Sequence, residues 1–191
     1  MGGQCGARCL VPRNFEFMTQ LRMSSEATAS SDVSGILLKE VPGAVSVEQA
    51  TTSDDRQGTD YWVTLQNGKR LSVDAKIRTE DRFGDDLALE TWSVVEQQVV
   101  GWSRDHMKQT DYVLWLWKDT GRWRLVPFIM LCSSFARRWM HWSQKYKVAN
   151  QRTTRPNGSC YHSQCVFVPT RVLWAAIYRD STPDALRRAA A

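Results

Sequence analysis

Two carboxylates and an amine stand close together in GTDYWVTLQNGKRLSVDAKIR, residues 58 to 78. They are Asp60, Asp74 and Lys76. Carboxylates brought side by side repel unless something positive lies between them. A divalent cation answers that need, and Mg2+ takes one or two carboxylates together with water and phosphate oxygens. The alternative is a solvated strand face on which Lys76 offsets the two aspartates.

Whether the carboxylates meet depends on the hairpin. Tyr61, Val63 and Leu65 alternate with polar neighbours, as do Leu71, Val73, Ala75 and Ile77, the period of two that marks a half-buried strand. A two-residue turn at Asn67-Gly68 would pair Tyr61 with Asp74 and mix the two faces. A three-residue loop, Gln66-Asn67-Gly68, pairs Leu65 with Lys69 and gives Gly68 the left-handed position of a bulged turn. Tyr61, Val63, Leu71, Val73 and Ala75 then share an apolar face. On the other face Asp60 lies opposite Asp74, Lys76 is two residues further, and Trp62 joins them.

The surroundings read as one α/β domain of residues 35–191 behind a tail of residues 1–34, whose stretch SSEATASSDVS (24–34) is small, polar and aperiodic. Met23 is an alternative start. Residues 35–50 lean helical but are interrupted at Pro42-Gly43. Strands are expected at 60–65, 70–78, 87–92, 111–117, 123–131 and 165–169, with a short helix over 102–109 and a C-terminal helical stretch. A longer helix is expected from 133 to 147, capped by Ser133. Its apolar stripe is Phe135, Trp139, Trp142 and Tyr146, and Arg137, Arg138, His141 and Lys145 lie opposite. Trp139 and Trp142 therefore read as core. No repeat and no second core is visible.

The 191 residues are 42% hydrophobic and 24% charged, an ordinary globular composition. No apolar run reaches the length of a membrane span. The first residues lack a signal-peptide core, and Gly6 stands where a myristoylation signal wants Ser or Thr. A cytoplasmic protein is the expectation. The net charge of +5 is unevenly spread: residues 120–179 contain ten Lys or Arg and no Asp or Glu, whereas residues 1–119 carry 13 basic and 18 acidic residues. Such a basic third suits a polyanion, or simply a soluble surface. Five cysteines without a signal peptide argue against a disulfide framework. Cys160, His162 and Cys165 could approach a zinc site only with a fourth ligand from Cys132, Cys5 or Cys9, and ordinary thiols are the expectation. Phosphate-loop, nucleophile-elbow, zincin and dinucleotide motifs are missing, and His106, His141 and His162 are widely spaced.

Gly58-Thr59-Asp60 followed by Val73-Asp74-Ala75-Lys76 resembles the PD-(D/E)XK nuclease superfamily over roughly residues 35 to 117. DLALETWS (86–93) and the stretch from Gly101 to Trp117 resemble phage-type members. Thr59 stands where the family's name has proline. The resemblance implies a restriction-endonuclease-like fold: a mixed central β-sheet flanked by helices, ordered as a helix, three meandering strands, a helix and another strand. It implies a Mg2+-dependent deoxyribonuclease, with Mn2+ substituting. Asp60 and Asp74 would bind the metal, aided by the Ala75 carbonyl, and Lys76 would position water or stabilise charge on phosphorus. Glu48, or else Glu40, would supply the family's upstream glutamate. Glu90 could instead bring a carboxylate, and for Glu48 and Glu90 alike a plain surface charge is the competing reading. Arg137, Arg138, Lys145 and Arg78 would contact DNA, and a homodimer is open. The other readings are a non-catalytic module of the same fold binding nucleic acid or protein, and a zinc-stabilised interaction protein.

Overall fold

The computed structural model describes residues 13–16, 32–51, 54, 58–78 and 85–182. Helix α1, Val33–Glu40, opens on Asp32, whose carboxylate accepts the Gly35 N–H at 2.9 Å. A Cβ on Gly35 would lie 2.4 Å from that carboxylate, so the cap closes only over glycine. Pro42-Gly43 ends the helical segment. The chain then enters strand β2, Ala44–Gln49, where the sequence led us to expect a broken helix.

Strands β3, Tyr61–Leu65, and β4, Arg70–Arg78, form the hairpin in the register that apolar alternation demands. Tyr61 faces Val73 and Val63 faces Leu71. Leu65 N–H donates to the Lys69 carbonyl at 2.8 Å, and Gly68 takes φ +79°. The backbone continues one step beyond the strand, with Asp60 N–H donating to the Val73 carbonyl at 2.9 Å. Asp60 is thereby held opposite Asp74.

Strand β5, Asp86–Val94, does not extend this meander. It pairs with β10, Cys160–Pro169, in a second sheet of order β1-β9-β10-β5-β6. There β1 is Arg13–Glu16, β6 is Val99–Val100 and β9 is Val148–Thr154. The place beside β4 belongs to β7, Tyr112–Trp117, which pairs parallel to it, Asp74 beside Val113 and Lys76 beside Trp115. Strand β8, Trp123–Pro127, completes the order β2-β3-β4-β7-β8. YVLWLW wins the interior place beside β4 because it is apolar on both faces, as a strand covered on both sides must be.

That strand divides the interior. Leu114 and Leu116 join Val33, Leu37, Val41, Tyr61, Val63, Leu71 and Val73 on the α1 side. Val113, Trp115 and Trp117 face the other way, packing with Leu87, Leu89, Phe135, Trp142, Val166 and Leu173. Two apolar clusters thus stand where the sequence suggested one core, and each buried Leu or Val within them contributes about 1.5–3 kcal/mol.

The long helix α2, Phe128–Lys145, starts earlier than Ser133. Pro127 ends β8 and supplies φ −59° at the cap, so the expected strand over 123–131 stops there and Ser133 is interior to the helix. The short helix expected over 102–109 reduces to a 3-10 turn at Trp102–Arg104. Strand β10 begins five residues before the expected Cys165. Helix α3, Thr170–Ser181, packs on α2. Among the described residues no helix is long and apolar enough to cross a membrane.

Candidate active site

The hairpin's polar face points toward the second cluster and carries the charges. Asp74 is 2% exposed. Its Oδ1 accepts from the Lys76 ammonium at 2.6 Å, and its Oδ2 accepts from Lys108 Nζ at 2.6 Å. Burial works to neutralise Asp74, but the two ammonium groups outweigh it and hold its pKa below the ordinary carboxylate value. The same contacts raise the Lys76 pKa against the opposing effect of burial.

Among the described residues no ammonium bonds to Asp60. Its Oδ2 accepts the Ala75 N–H at 2.6 Å. Burial first, and the neighbouring Asp74 charge second, push its pKa up to about 7. The two carboxylates are therefore adjacent, and at neutral pH Asp60 retains much of its proton.

Glu90 reaches the same place from β5. It feels Lys76, Lys108 and Asp74 electrostatically, and burial raises its pKa. Its Oε2 accepts the Trp102 N–H at 3.0 Å. Gly101 is required here, because a Cβ would meet the Glu90 carbonyl oxygen at 2.4 Å. The Trp102 ring lies 5.2 Å from the Lys76 ammonium and 5.6 Å from that of Lys108, walling the charges from one side. Two carboxylates and two amines thus converge from β4 and the segments entering β3 and β7, and Glu90 of β5 flanks them across Trp102. Lys76 stands at the rim, its side chain 36% exposed against 10% for Lys108 and 3% for Asp74.

Comparison with protein-family models, with curated proteins and with solved structures finds no match.

Of the three further carboxylates proposed from the sequence, Glu90 borders the centre, and Glu48 and Glu40 do not. Glu48 sits on β2 opposite Trp62, largely exposed, with Arg70 at 3.5 Å. Glu40 pairs with Lys39 at 3.6 Å. Trp62 stays on the polar face, its ring covered by Arg70 at 4.7 Å. The sequence reading missed Lys108. Its signal lies in pairing: a strand parallel to β4, beginning at Tyr112 opposite Val73, carries the residues before it past the start of the hairpin. Thr110 Oγ1 accordingly donates to the Gly58 carbonyl at 2.8 Å.

The basic residues proposed for nucleic acid divide into two groups. Arg78 is committed to Asp86, with Nη1 2.8 Å from Oδ1. Arg138 forms a two-pronged pair with Asp180, both contacts 2.7 Å, and Ser134 adds a third bond at 2.8 Å. Arg137, 62% exposed and 3.7 Å from Asp180, and Lys145 remain on the surface. They form a row with His141 at four-residue spacing, facing Arg171 and Arg179 of α3 across a groove of about 550 Å³. Trp142 and Tyr146 line it as well, and the lining contains no Asp or Glu. At 1.5 Å per residue the α2 row runs about 12 Å.

Cys160, His162 and Cys165 do not converge. Cys160 Sγ accepts from Arg152 at 3.0 Å. His162 pairs with Glu96 at 2.5 Å. Burial pushes the Cys165 thiol up to about 12. Cys132 lies beside His106 at 3.4 Å, while Cys5 and Cys9 are outside the described residues. Among the described residues no group of three or more His, Cys, Asp and Glu side chains is preassembled around a metal position.

Proposed function

We propose that the chain is a Mg2+-dependent nuclease that hydrolyses phosphodiester bonds, with DNA as substrate. The observation that carries this reading is the pair of adjacent carboxylates, half-buried Asp60 and buried Asp74, with Lys76 at their rim. The order of elements supports it too. A helix precedes a three-strand meander, β2-β3-β4, and a further strand, β7, lies parallel to the last of them.

The donor set fits a hard divalent cation. Adjacent carboxylates, one of which is pushed to a pKa of about 7 first by burial and second by its neighbour's charge, would gain from a partner of charge +2. When bound, Mg2+ would supply charge neutralisation at the phosphate and acidify water beside it. The remaining work belongs to the protein. Asp60 and Asp74 would hold the cation, with Glu90 adding negative potential from β5. Lys76 lies where its ammonium can meet the non-bridging phosphate oxygens and stabilise charge that builds on them. The Trp102 ring covers one side of that ammonium and leaves the other open at the rim. Ala75 N–H fixes the Asp60 carboxyl in orientation. The groove between α2 and α3 holds the backbone through Arg137, Lys145, Arg171 and Arg179, a contact that depends on salt and hardly on sequence.

Plasmid and single-stranded DNA incubated with wild type and Lys76→Ala, in Mg2+, Mn2+ or EDTA, test the proposal. Cleavage that needs metal and is lost in the variant is the expected result. Normal DNA binding without cleavage in any metal would instead leave a non-catalytic binding module on the same scaffold, for which the basic groove alone suffices.

A further inference from the structure

The centre holds one ammonium more than the Asp60, Asp74 and Lys76 trio. Asp74 accepts from Lys76 on one oxygen and from Lys108 on the other. Any cation that reaches Asp74 must displace one of them. Lys76 lies two residues further along the same strand face and stays near Asp74 wherever its amine points. Lys108 comes from outside the sheet, on a turn closed by Lys108 N–H to the Asp105 carbonyl at 3.3 Å.

One feature gives Lys108 somewhere to go. Its side chain lines both the carboxylate centre and a neighbouring cavity of about 320 Å³, together with Thr59, Trp62, Ser72 and the carboxylates of Asp54 and Asp111. Gly58 makes room for the ammonium where it sits on Asp74: this residue takes φ +88°, and a Cβ there would lie 2.4 Å from Lys108 Nζ.

We infer that Lys108 is the resident counter-ion of Asp74, which the divalent cation displaces toward the adjoining cavity; this rests on the nuclease reading above. While Lys108 is in place it helps to compensate a carboxylate at 2% exposure. Once displaced, its ammonium finds partners in the Asp54 and Asp111 carboxylates that line that cavity.

The test measures Mn2+ affinity calorimetrically for the full chain, wild type against Lys108→Met. Removing the competing ammonium should tighten Mn2+ binding about tenfold. Gly58→Ala provides a second route that keeps the lysine but crowds it off Asp74, and it should also tighten Mn2+ binding should Lys108→Met fail to fold. Equal Mn2+ affinity in wild type and whichever variants fold, with cleavage by wild type intact, overturns the exchange role alone. No Mn2+ uptake by any form and no cleavage by wild type overturns the nuclease reading and this one with it.

Discussion

Asp74 and Asp180 are each gripped by basic side chains, yet the two regions around them are built to opposite ends. At Asp74, on the sheet, the acid is buried and bonded by two lysines beside a second carboxylate whose pKa is raised to about 7. At Asp180, on α3, Arg138 and Ser134 hold the acid while Arg137, Lys145, Arg171 and Arg179 surround the groove with cation. The first region concentrates opposite charges where solvent is scarce, so replacing one partner by a metal or phosphate changes the energy strongly. The second presents a surplus of one sign to water, where each contact is weak and many add up. Chemistry suits the first and docking the second, although the sequence's charge imbalance draws attention mainly to the second.

The sharpest way to break this contrast is Asp74→Ala. It leaves Lys76 and Lys108 facing each other with their shared acid gone. Cleavage should fall at least about 10³-fold, by analogy with losing a principal electrostatic group of a site. Urea unfolding should show a loss of about 3–5 kcal/mol, the cost of orphaning buried charge. Unchanged stability would mean that the two ammonium groups are better solvated than their surroundings indicate.

Next in size is the double variant Arg171→Ala/Arg179→Ala. DNA affinity should drop about tenfold or more near physiological salt, and the slope of log K against log salt should flatten by about 1.8, or about 0.9 for each phosphate contact removed. Its thermal midpoint should hold and its single-turnover rate on saturating DNA should match wild type. A loss of turnover with affinity intact would erase the division between the regions.

The smallest expected effect is one of pH. The folded Asp60 pKa lies near 7, above the ordinary value of 3.8, so the folded state binds this proton more tightly than the unfolded chain does. Metal-free protein should therefore be relatively more stable below about pH 4 on this account, and lose that contribution as pH rises through about 7. Urea midpoints at pH 5.5 and 8 should differ in that direction, and Asp60→Asn should shrink the difference. Excess Mg2+ should reverse it.

Much of the centre was legible because strand alternation is a strong code. Tyr61, Val63, Leu71 and Val73 allowed only one register, and that register brought Asp60 and Asp74 together. Glu90 and Glu48 were less separable. Each alternates with apolar neighbours, and only tertiary pairing decided between them, placing β5 in the other sheet with Glu90 inward. Lys108 carried no local signal, since its position follows from the parallel pairing of β7 with β4. Strand β9 was missed because VANQRTT has no apolar rhythm; its pairing with β10 is a property of the hairpin closed at Gly158. Helix α2 shows the reverse error, in which a plausible serine cap at 133 masked the stronger stop at Pro127.

The parallel pairing of β4 with β7 also has a kinetic consequence. Between them the chain must leave one sheet, lay down β5 in the other and return, so these strands meet only after a long excursion is closed. Loop closure of this kind makes long-range pairing slow. Asp60 and Asp74 meet as soon as the local hairpin forms, but Glu90 and Lys108 arrive only with that closure. A chain caught early in folding would thus present two mutually repelling aspartates with Lys76 as their nearest offset, and the complete centre should appear together with the burial of Trp115 and Trp117.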